Sequence, residues 1–482
     1  MHQQTLAQQA QALSEGKYTA RELAAHYLAR IDQHDSALNS FITVTAEQAL
    51  AAADAADAAR SNGNAPALTG LPLAHQDVFC SKGVRTSCGS KMLDNFVAPY
   101  DAHLIELLNQ AGAVSLGKTN MDEFGMAASG TTSFYGVSNN PWQTGRIAGG
   151  AASGSAIAVA AGLASAASGC DSFGDIRLAA AHNGVTGLKA TYGRISRFGM
   201  TANASSFDQA GFIAHTAEDA ALLLQAAAGF DLRDSTSAQE EIADYSATLN
   251  QPLNGLKVGI ARNLFDSELD AGVATAVLAA AEQLQQLGAT LVDVDLAHAG
   301  QAIACATIIG SGEASTNMSR YDGVRFGYRC ADPADLDDLY QRSRSESLGA
   351  SVQERILLGA HYLSVGQYES HYVQAQRVRR LIKQDFVDSF AQVDLLLTPT
   401  SPALPRLQEQ AVDAAADWTS QRYTMLANLA GLPAISLPCG LVEDLPVGLQ
   451  LLAPWFQEAR LLNAAHQYQQ ASDWHSRRPA GF

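Results

Sequence analysis

Two segments rich in glycine and other small residues are the parts of the sequence best suited to hold a negatively charged group. One runs over residues 149–155 and the other over residues 169–177, and each opens an alanine-rich stretch with helical character. A tight loop that begins a helix can direct backbone N–H groups toward an anion. Small residues are also common where helices simply pack closely. The two segments therefore indicate a candidate anion site, with close packing as the alternative.

Polar side chains in the second segment permit two other kinds of chemistry. Cys170 near Asp175 has the composition of a nucleophile with its base, because a thiolate attacks amides when a neighbour assists. Asp171, Asp175 and His182 carry groups that ligate metals. We expect neither arrangement, since Cys170 stands at the end of an alanine-rich helix pattern, where burial makes a thiol inert. We expect no metal and no cofactor. Isolated histidines are more often satisfied structural groups than catalysts, and this applies to His75, His103, His182 and His215.

The elements that carry these segments begin with a helix near the amino terminus. Thr19 followed by Glu22 forms a capping box, and Leu23, Tyr27 and Ile31 recur behind it at helical spacing. The pattern predicts a helical arm that packs on the body of the protein through these apolar side chains.

Beyond the arm, strand and helix patterns alternate. Residues 255–296 form a plain strand, helix and strand unit, which favours a parallel sheet covered by helices. We therefore predict an N-terminal helical arm over residues 1–60 and one α/β unit over residues 61–482. The polar stretch at residues 231–254 is the expected surface crossover within that unit.

Composition excludes several classes of protein. The 482 residues include 31 Lys and Arg against 48 Asp and Glu, a formal net charge of −17, which argues against direct nucleic-acid binding. No secretory signal and no apolar run long enough for a bilayer are evident. The six cysteines are dispersed without metal-site spacing, so a reducing cytoplasm fits best.

Longer motifs place the chain in a known family. LGKTNMDEF from Leu116, GLKATYGRISRFGM from Gly187, ASSFDQAG from Ala204 and NLAGLPAISLP from Asn428 resemble the amidase signature family over nearly the whole chain. The segment from Ser319 to Arg329 resembles the branch that contains the A subunits of tRNA-dependent amidotransferases. The resemblance implies an α/β amidase signature fold, with a central mixed β-sheet enclosed by helices.

The family hydrolyses amides with a serine nucleophile, a relay serine and a lysine base, and the resemblance assigns a position to each. The lysine position is Gln76, the relay position is Ala151 and the nucleophile position is Asp175. None of these side chains performs its family role. The former oxyanion loop is Ser172, Phe173 and Gly174. We therefore expect no intact catalytic triad and no glutaminase or amidase activity.

Substrate recognition also departs from the family pattern. Arg355 matches the arginine that holds glutamine in the amidotransferase branch, whereas Ala306 and Gln421 replace its other two contacts. Arg355 is a substrate-binding remnant or, equally, a structural ion-pair partner.

Two functions follow as expectations. The first is a catalytically inactive scaffold or regulatory partner, a pseudoenzyme that works with amidotransferase B-like or C-like subunits or another protein. The second is an enzyme or small-molecule binder with altered chemistry in the former amidase pocket.

The carboxylate at Asp175 leads to a geometric expectation. A buried carboxylate requires hydrogen bonds or a positive partner. Backbone N–H groups of the turn at residues 172–174 are expected to cap Asp175, and Gln76 to donate an N–H to it, on the floor of a narrowed pocket. A sealed structural network is favoured over a pocket selective for a neutral or cationic ligand.

Overall fold

The structure, a computed structural model, describes residues 1–410 and 414–482. Its central element, over these described residues, is a single sheet of eleven strands. In chain order the strands are β1 (Phe41–Val44), β2 (Pro72–Gln76), β3 (Val114–Thr119), β4 (Ala166–Asp171), β5 (Thr186–Lys189), β6 (Gln209–Ala214), β7 (Lys257–Ala261), β8 (Thr290–Val294), β9 (Leu395–Pro399), β10 (Ala434–Val442) and β11 (Leu445–Leu452).

The sheet is mixed. Its strand order is β1-β3-β2-β4-β6-β5-β10-β11-β9-β7-β8. Strand β2 pairs in parallel with β3 and β4, and β7 pairs in parallel with β8 and β9. The six remaining pairings between these described strands are antiparallel. Every residue of β2, β4 and β11 is buried, because helices cover both faces of the central strands.

Helices surround the sheet. The α-helices in the described part of the chain are α1 (Leu6–Ser14), α2 (Ala20–Leu38), α3 (Ala46–Ser61), α4 (His103–Gln110), α5 (Ser153–Ala160), α6 (Asp175–Asn183), α7 (Ala217–Ala227), α8 (Ala271–Gln286), α9 (Ala302–Met318), α10 (Leu336–Ser347), α11 (Ala350–Tyr362), α12 (Gln374–Phe390), α13 (Ala414–Ser420), α14 (Thr424–Ala430) and α15 (Glu458–Gln470). No helix among these described residues is both long and apolar enough to cross a membrane.

The predicted α/β fold with a mixed sheet enclosed by helices is confirmed. The strand, helix and strand unit expected over residues 255–296 is present as β7, α8 and β8, with the two strands parallel. Helix α2 begins at the predicted capping box, in which the Thr19 hydroxyl accepts from the Glu22 N–H. Its side chains Leu23, Tyr27 and Ile31 are buried, as their spacing predicted.

The first 60 residues contain more than helices. Between α2 and α3 the chain forms β1, which pairs antiparallel with β3 at one edge of the central sheet. The arm is therefore joined to the main unit by backbone hydrogen bonds as well as by apolar packing. The stretch 231–254 contains turns and neither a helix nor a strand. The division of the chain near residue 60 stays a prediction.

Candidate active site

Two neighbouring parallel strands bring the predicted site residues to one edge of the sheet. In the β2–β4 pair His75 lies opposite Ser168, so Gln76, the last residue of β2, lies beside the end of β4. The carboxyl ends of adjacent parallel strands meet at the same edge, where ligands bind in open α/β sheets. The chain leaves β4 at Asp171 and turns at once into α6.

The turn over residues 172–174 requires a glycine at its last position. Gly174 has φ of +118°, and a Cβ built there would overlap the Thr424 hydroxyl. The same hydroxyl donates to the Phe173 carbonyl over 2.9 Å, which ties α14 to the turn. The glycine thus permits both the backbone conformation and the close approach of α14.

Asp175 fills the concave side of this turn with its carboxylate. One oxygen, Oδ2, accepts from the backbone N–H groups of Ser172 (2.9 Å) and Phe173 (3.4 Å). The other, Oδ1, accepts from the Ala151 N–H (3.3 Å) and from Nε2 of Gln421 (2.9 Å). The hydrogen bonds from the turn are those that the spacing predicted. The backbone donors of this loop are therefore directed at the chain's own carboxylate.

The environment of Asp175 favours its protonated form. Burial, followed by the negative charge of Asp171, raises the pKa of Asp175 to about 7, although the N–H groups of Ser172, Ala151 and Phe173 oppose the shift. Its residue exposure is only 2 %. The carboxylate therefore changes charge in the physiological range while enclosed by protein.

Gln76 does not donate to Asp175, so that prediction is wrong. Its Nε2 donates to the Ala151 carbonyl over 3.1 Å, and its Oε1 accepts from the Cys170 N–H over 2.6 Å. Both the nitrogen and the oxygen of the Gln76 side-chain amide are therefore hydrogen-bonded to backbone groups. Gln421 supplies the side-chain N–H that was expected from Gln76.

A buried ion pair lies directly beside the turn. Nη2 of Arg177 donates to Asp171 Oδ1 over 2.8 Å and to Asn428 Oδ1 over 2.6 Å, and Nε donates to Asp171 Oδ2 over 3.1 Å. Nη1 donates to the Thr424 carbonyl and to Gln450. Burial, the largest single influence, would raise the pKa of Asp171, but the charge and hydrogen bonds of Arg177, together with Lys189 and Asn428, outweigh it and hold that pKa below its usual value.

A cavity of about 400 Å³ opens beside the turn. Phe173 and Gln421 line it, whereas Asp175 lies behind these two side chains rather than on the cavity floor. The Phe173 ring packs against Phe207 (5.0 Å between centroids) and Trp418 (5.1 Å). This aromatic contact separates the cavity from the carboxylate, so the expected position of Asp175 on the floor of the pocket is wrong.

Charged side chains also line the cavity. The Arg355 guanidinium lies 4.4 Å from the centroid of the Trp418 ring, and its Nη2 donates to the Met126 carbonyl over 3.2 Å. Its Nη1 is buried without a hydrogen-bond partner among the residues that the structure describes. Burial raises the pKa of Asp417 to about 6, and this carboxylate accepts from the Ala128 N–H and pairs with Arg406.

Comparison with known proteins assigns a family to this geometry. The model of the amidase family matches residues 22–462. The chain belongs to the amidase signature family.

Relatives extend this assignment over the full chain. This amidase-family chain is 54% identical over 483 residues to the A subunit of glutamyl-tRNA(Gln) amidotransferase from Pseudomonas aeruginosa, with 100% of each chain covered. It is 55% identical over 480 residues to the protein of the same name in Chromohalobacter salexigens, covering 100% of this chain and 99% of that protein.

Solved structures agree with the fold. The A subunit of the Thermotoga maritima glutamyl-tRNA(Gln) amidotransferase is 31% identical with a TM-score of 0.80, over 96% of this chain and 94% of that one. A peptide amidase from Stenotrophomonas maltophilia is 30% identical with a TM-score of 0.83, over 99% of this chain and 98% of that one.

The expected function of a catalytically inactive scaffold or regulatory partner is contradicted by these relatives. Identity of 54% across the full length of named amidotransferase subunits points to a functional subunit of that kind. The expectation was wrong because it relied on the altered residues at positions 76, 151 and 175 more than on the similarity of the rest of the chain to these subunits. The alternative, an enzyme or small-molecule binder with altered chemistry in the former amidase pocket, is contradicted for the same reason.

The two other chemistries considered from sequence have no structural support in the amidase-family chain. Cys170 lies in strand β4, not at a helix end, and burial followed by the charge of Asp208 raises the pKa of its thiol well above the usual value. His182 contacts Ser401 across 3.3 Å, and burial lowers its pKa to about 3. Residues 1–410 and 414–482 contain no group of three or more side chains that could hold a metal ion.

Sequence reasoning missed most of the side chains that α14 and its surroundings contribute. Asn428 donates to both the carbonyl and the Oδ1 of Asp171 over 2.9 Å, and Thr424 contacts the turn. The available signal was the motif NLAGLPAISLP, which begins at Asn428 and supported only the family resemblance. Trp418, which packs against Phe173 beside the cavity, had no sequence signal.

Proposed function

We propose that this chain is the A-type subunit of a cytoplasmic amidotransferase and works in a complex with B-type and C-type subunits. The observation that carries the proposal is identity of 54% to the A subunit of glutamyl-tRNA(Gln) amidotransferase over the whole length of both chains. Sequence identity confined to the core of the fold would support only membership of the amidase family. Full-length identity also covers the surface elements through which a subunit contacts its partners.

The cavity beside the Asp175 turn is the proposed site for the amide donor. Its volume of about 400 Å³ lies within the range of about 300–1,000 Å³ that small-molecule sites occupy. Arg355 lines this cavity, and its Nη1 is buried without a hydrogen-bond partner among the described residues. The carboxylates of Asp175, Glu354 and Asp417 act on its charge, but its described hydrogen bonds and ion pairs include none of them. A donor carboxylate would supply the missing acceptor, which favours a substrate-binding role over a structural ion pair.

We also propose that Gln76, Ala151 and Asp175 occupy the positions of the family's lysine, relay serine and nucleophile. The three lie together and are joined by hydrogen bonds, which supports this assignment. A serine–lysine route through these positions would require two hydroxyls and an amine that their side chains do not carry. The former oxyanion loop, Ser172 to Gly174, is occupied by Asp175.

Reconstitution tests whether the chain works in such a complex. The chain is produced with B-type and C-type subunits, and amidation of the glutamyl-tRNA is measured with glutamine and separately with ammonium chloride as nitrogen donor. We expect a stable complex whose amidation rate exceeds that of the B-type and C-type subunits without this chain. A chain that neither binds the partners nor changes the rate with either donor contradicts the proposal.

Donor binding is tested with Arg355→Met. Glutamine binding to the complex, measured by calorimetry, is expected to weaken about tenfold or more, since a charge-assisted hydrogen bond contributes about 1.5–3 kcal/mol. Arg342→Met is the matched control, because Arg342 is a half-exposed arginine that pairs with Asp338 and Glu346 on helix α10. Equal binding by parent and Arg355→Met would assign the arginine a structural role.

A further inference from the structure

A second cavity, of about 540 Å³, shares no lining residue with the candidate active site. It is a groove between helix α12 on one side and, on the other, the segments that follow β5, α14 and β11. Its lining includes Tyr192, Arg379, Arg380, Lys383, Trp455 and Phe456. We call it the α12 groove.

The charge of the α12 groove is opposite to that of the protein. The chain has a net charge of −17, yet the groove lining includes three cationic side chains and no acidic one. Arg379, Arg380 and Lys383 follow the helical spacing of α12, which places them along one face. Such a local concentration of one sign of charge favours an oppositely charged ligand.

The three cations are not equivalent. Arg379 is fixed, with Nε donating to the Leu429 carbonyl (2.8 Å) and Nη1 and Nη2 donating to the Ser206 hydroxyl (2.7 Å) and carbonyl (2.8 Å). Arg380 and Lys383 are exposed, and neither forms an ion pair with a described carboxylate. The donors of these two side chains are therefore available to a ligand, whereas the charge of Arg379 is partly balanced by the nearby Glu313 carboxylate.

Aromatic rings form the other wall. Nε1 of Trp455 donates to the Ala430 carbonyl over 2.9 Å, which fixes the ring, and Lys383 Nζ lies 5.0 Å from its centroid. The Tyr192 hydroxyl donates to the Ser205 carbonyl over 2.8 Å. Both rings remain partly exposed to the groove. Fixed aromatic faces provide stacking surfaces for planar rings.

The backbone beside this wall adopts an uncommon conformation. Phe456 has φ of +63°, in the left-handed region that bulky residues avoid. Its N–H donates to the Thr191 hydroxyl over 3.0 Å, and the Arg194 guanidinium lies 4.7 Å from its ring centroid. Strained residues of this kind are concentrated at ligand sites, where surrounding contacts hold them.

From these observations we propose that the α12 groove binds a nucleoside phosphate. Arg380 and Lys383 hold the phosphate, since guanidinium and ammonium groups form charge-assisted hydrogen bonds with its oxygens. The base stacks on Trp455, whose ring is fixed by its hydrogen bond to the Ala430 carbonyl. The cavity volume lies in the range of small-molecule sites. The side chains of Arg380 and Lys383 provide enough positive charge for the phosphate of one nucleotide. That nucleotide is either a free mononucleotide or the terminal nucleotide of an RNA.

Calorimetric titration of the full chain with ATP and with a short single-stranded RNA tests the proposal. Arg380→Gln and Lys383→Gln are each expected to weaken binding about tenfold, and Trp455→Leu about tenfold, with melting temperatures checked by circular dichroism. Arg377→Gln is the matched control, because Arg377 is exposed on the same helix but lies outside the groove lining. Its affinity is expected to equal that of the parent.

The outcomes separate the ligand sources. Tighter binding of ATP identifies a free nucleotide, tighter binding of the RNA identifies an RNA terminus, and both support the groove. Inorganic phosphate binding as tightly as ATP would overturn the nucleotide assignment. Absence of binding at millimolar concentration, or equal losses in Arg377→Gln and Arg380→Gln, would overturn the proposal.

Discussion

Asp171 and Asp175 lie four residues apart on either side of one turn, and the protein stabilises them in opposite ways. Asp171 forms an ion pair with Arg177, which keeps its pKa low. Among the described residues, Asp175 forms hydrogen bonds with N–H donors and no ion pair, and burial raises its pKa to about 7. Dipoles from backbone and amide groups hold a buried carboxyl in place, but they do not compensate its charge as a cation does. The first aspartate is therefore a fixed charge and the second a titrating group.

Removal of the cation is expected to have the largest effect on this contrast. Arg177→Met leaves Asp171 buried without its partner, so the free energy of unfolding should fall by about 3–5 kcal/mol. Urea denaturation measures the loss. Arg262→Met, which breaks the exposed pair with Asp293, is the control and should cost about 0–1 kcal/mol. Similar losses in the two variants would contradict the assigned role of Arg177.

The titration of Asp175 provides the second test. Its folded-state pKa of about 7 lies above the unfolded value near 3.9, so the folded protein binds the proton more tightly. Stability from this group is fully present below about pH 4 and is lost as the pH rises through about 7. The slope cannot exceed about 1.4 kcal/mol per pH unit.

Asp175→Asn isolates this contribution, since the amide keeps the shape and does not titrate. Relative to the parent, the variant should gain stability between pH 5 and pH 8 in denaturation experiments. Carboxyl groups that do not interact with Asp175 contribute equally to both proteins and cancel in the comparison. Parallel stability profiles for the two proteins would show that Asp175 does not titrate in this range.

Loss of the Asp175 acceptor should have an intermediate effect. Asp175→Ala leaves the N–H groups of Ser172, Phe173 and Ala151 without their acceptor, which is expected to cost about 1–3 kcal/mol. Asp293→Ala, at an exposed position, is the control for removal of a carboxylate. If Asp175→Ala is as stable as its control at pH 7, these hydrogen bonds do not hold the turn.

The smallest expected effect concerns Gln76. Gln76→Leu removes the acceptor of the Cys170 N–H and the donor to the Ala151 carbonyl, at an expected cost of about 1 kcal/mol in the free energy of unfolding. Gln76→Glu keeps the acceptor and removes the donor. A larger loss in Gln76→Glu than in Gln76→Leu at pH 8 would indicate that a second negative charge beside Asp175 matters more than the hydrogen bonds.

Much of the fold follows from short-range patterns. The start of helix α2 and the parallel strands β7 and β8 are where residue spacing placed them, because capping and hydrophobic periodicity act within a few residues. Strand β1, in contrast, lies inside a segment expected to be helical. Its pairing with β3 joins residues more than 70 positions apart, and local propensity carries no information about such a partner.

The contacts of the candidate active site show the same difference between local and long-range interactions. The hydrogen bonds from the Ser172 and Phe173 N–H groups to Asp175 follow from local sequence, since these groups lie within three residues on a turn whose glycine sets the geometry. In contrast, only the packing of distant elements brings Gln421, 246 residues away, to donate to the same carboxylate, and turns Gln76 toward the backbone instead. The packing of Phe173 on Trp418 likewise encloses Asp175 behind the cavity. Local spacing specifies a turn and its donors, whereas the partner of a buried polar side chain depends on which distant element the packed core places beside it.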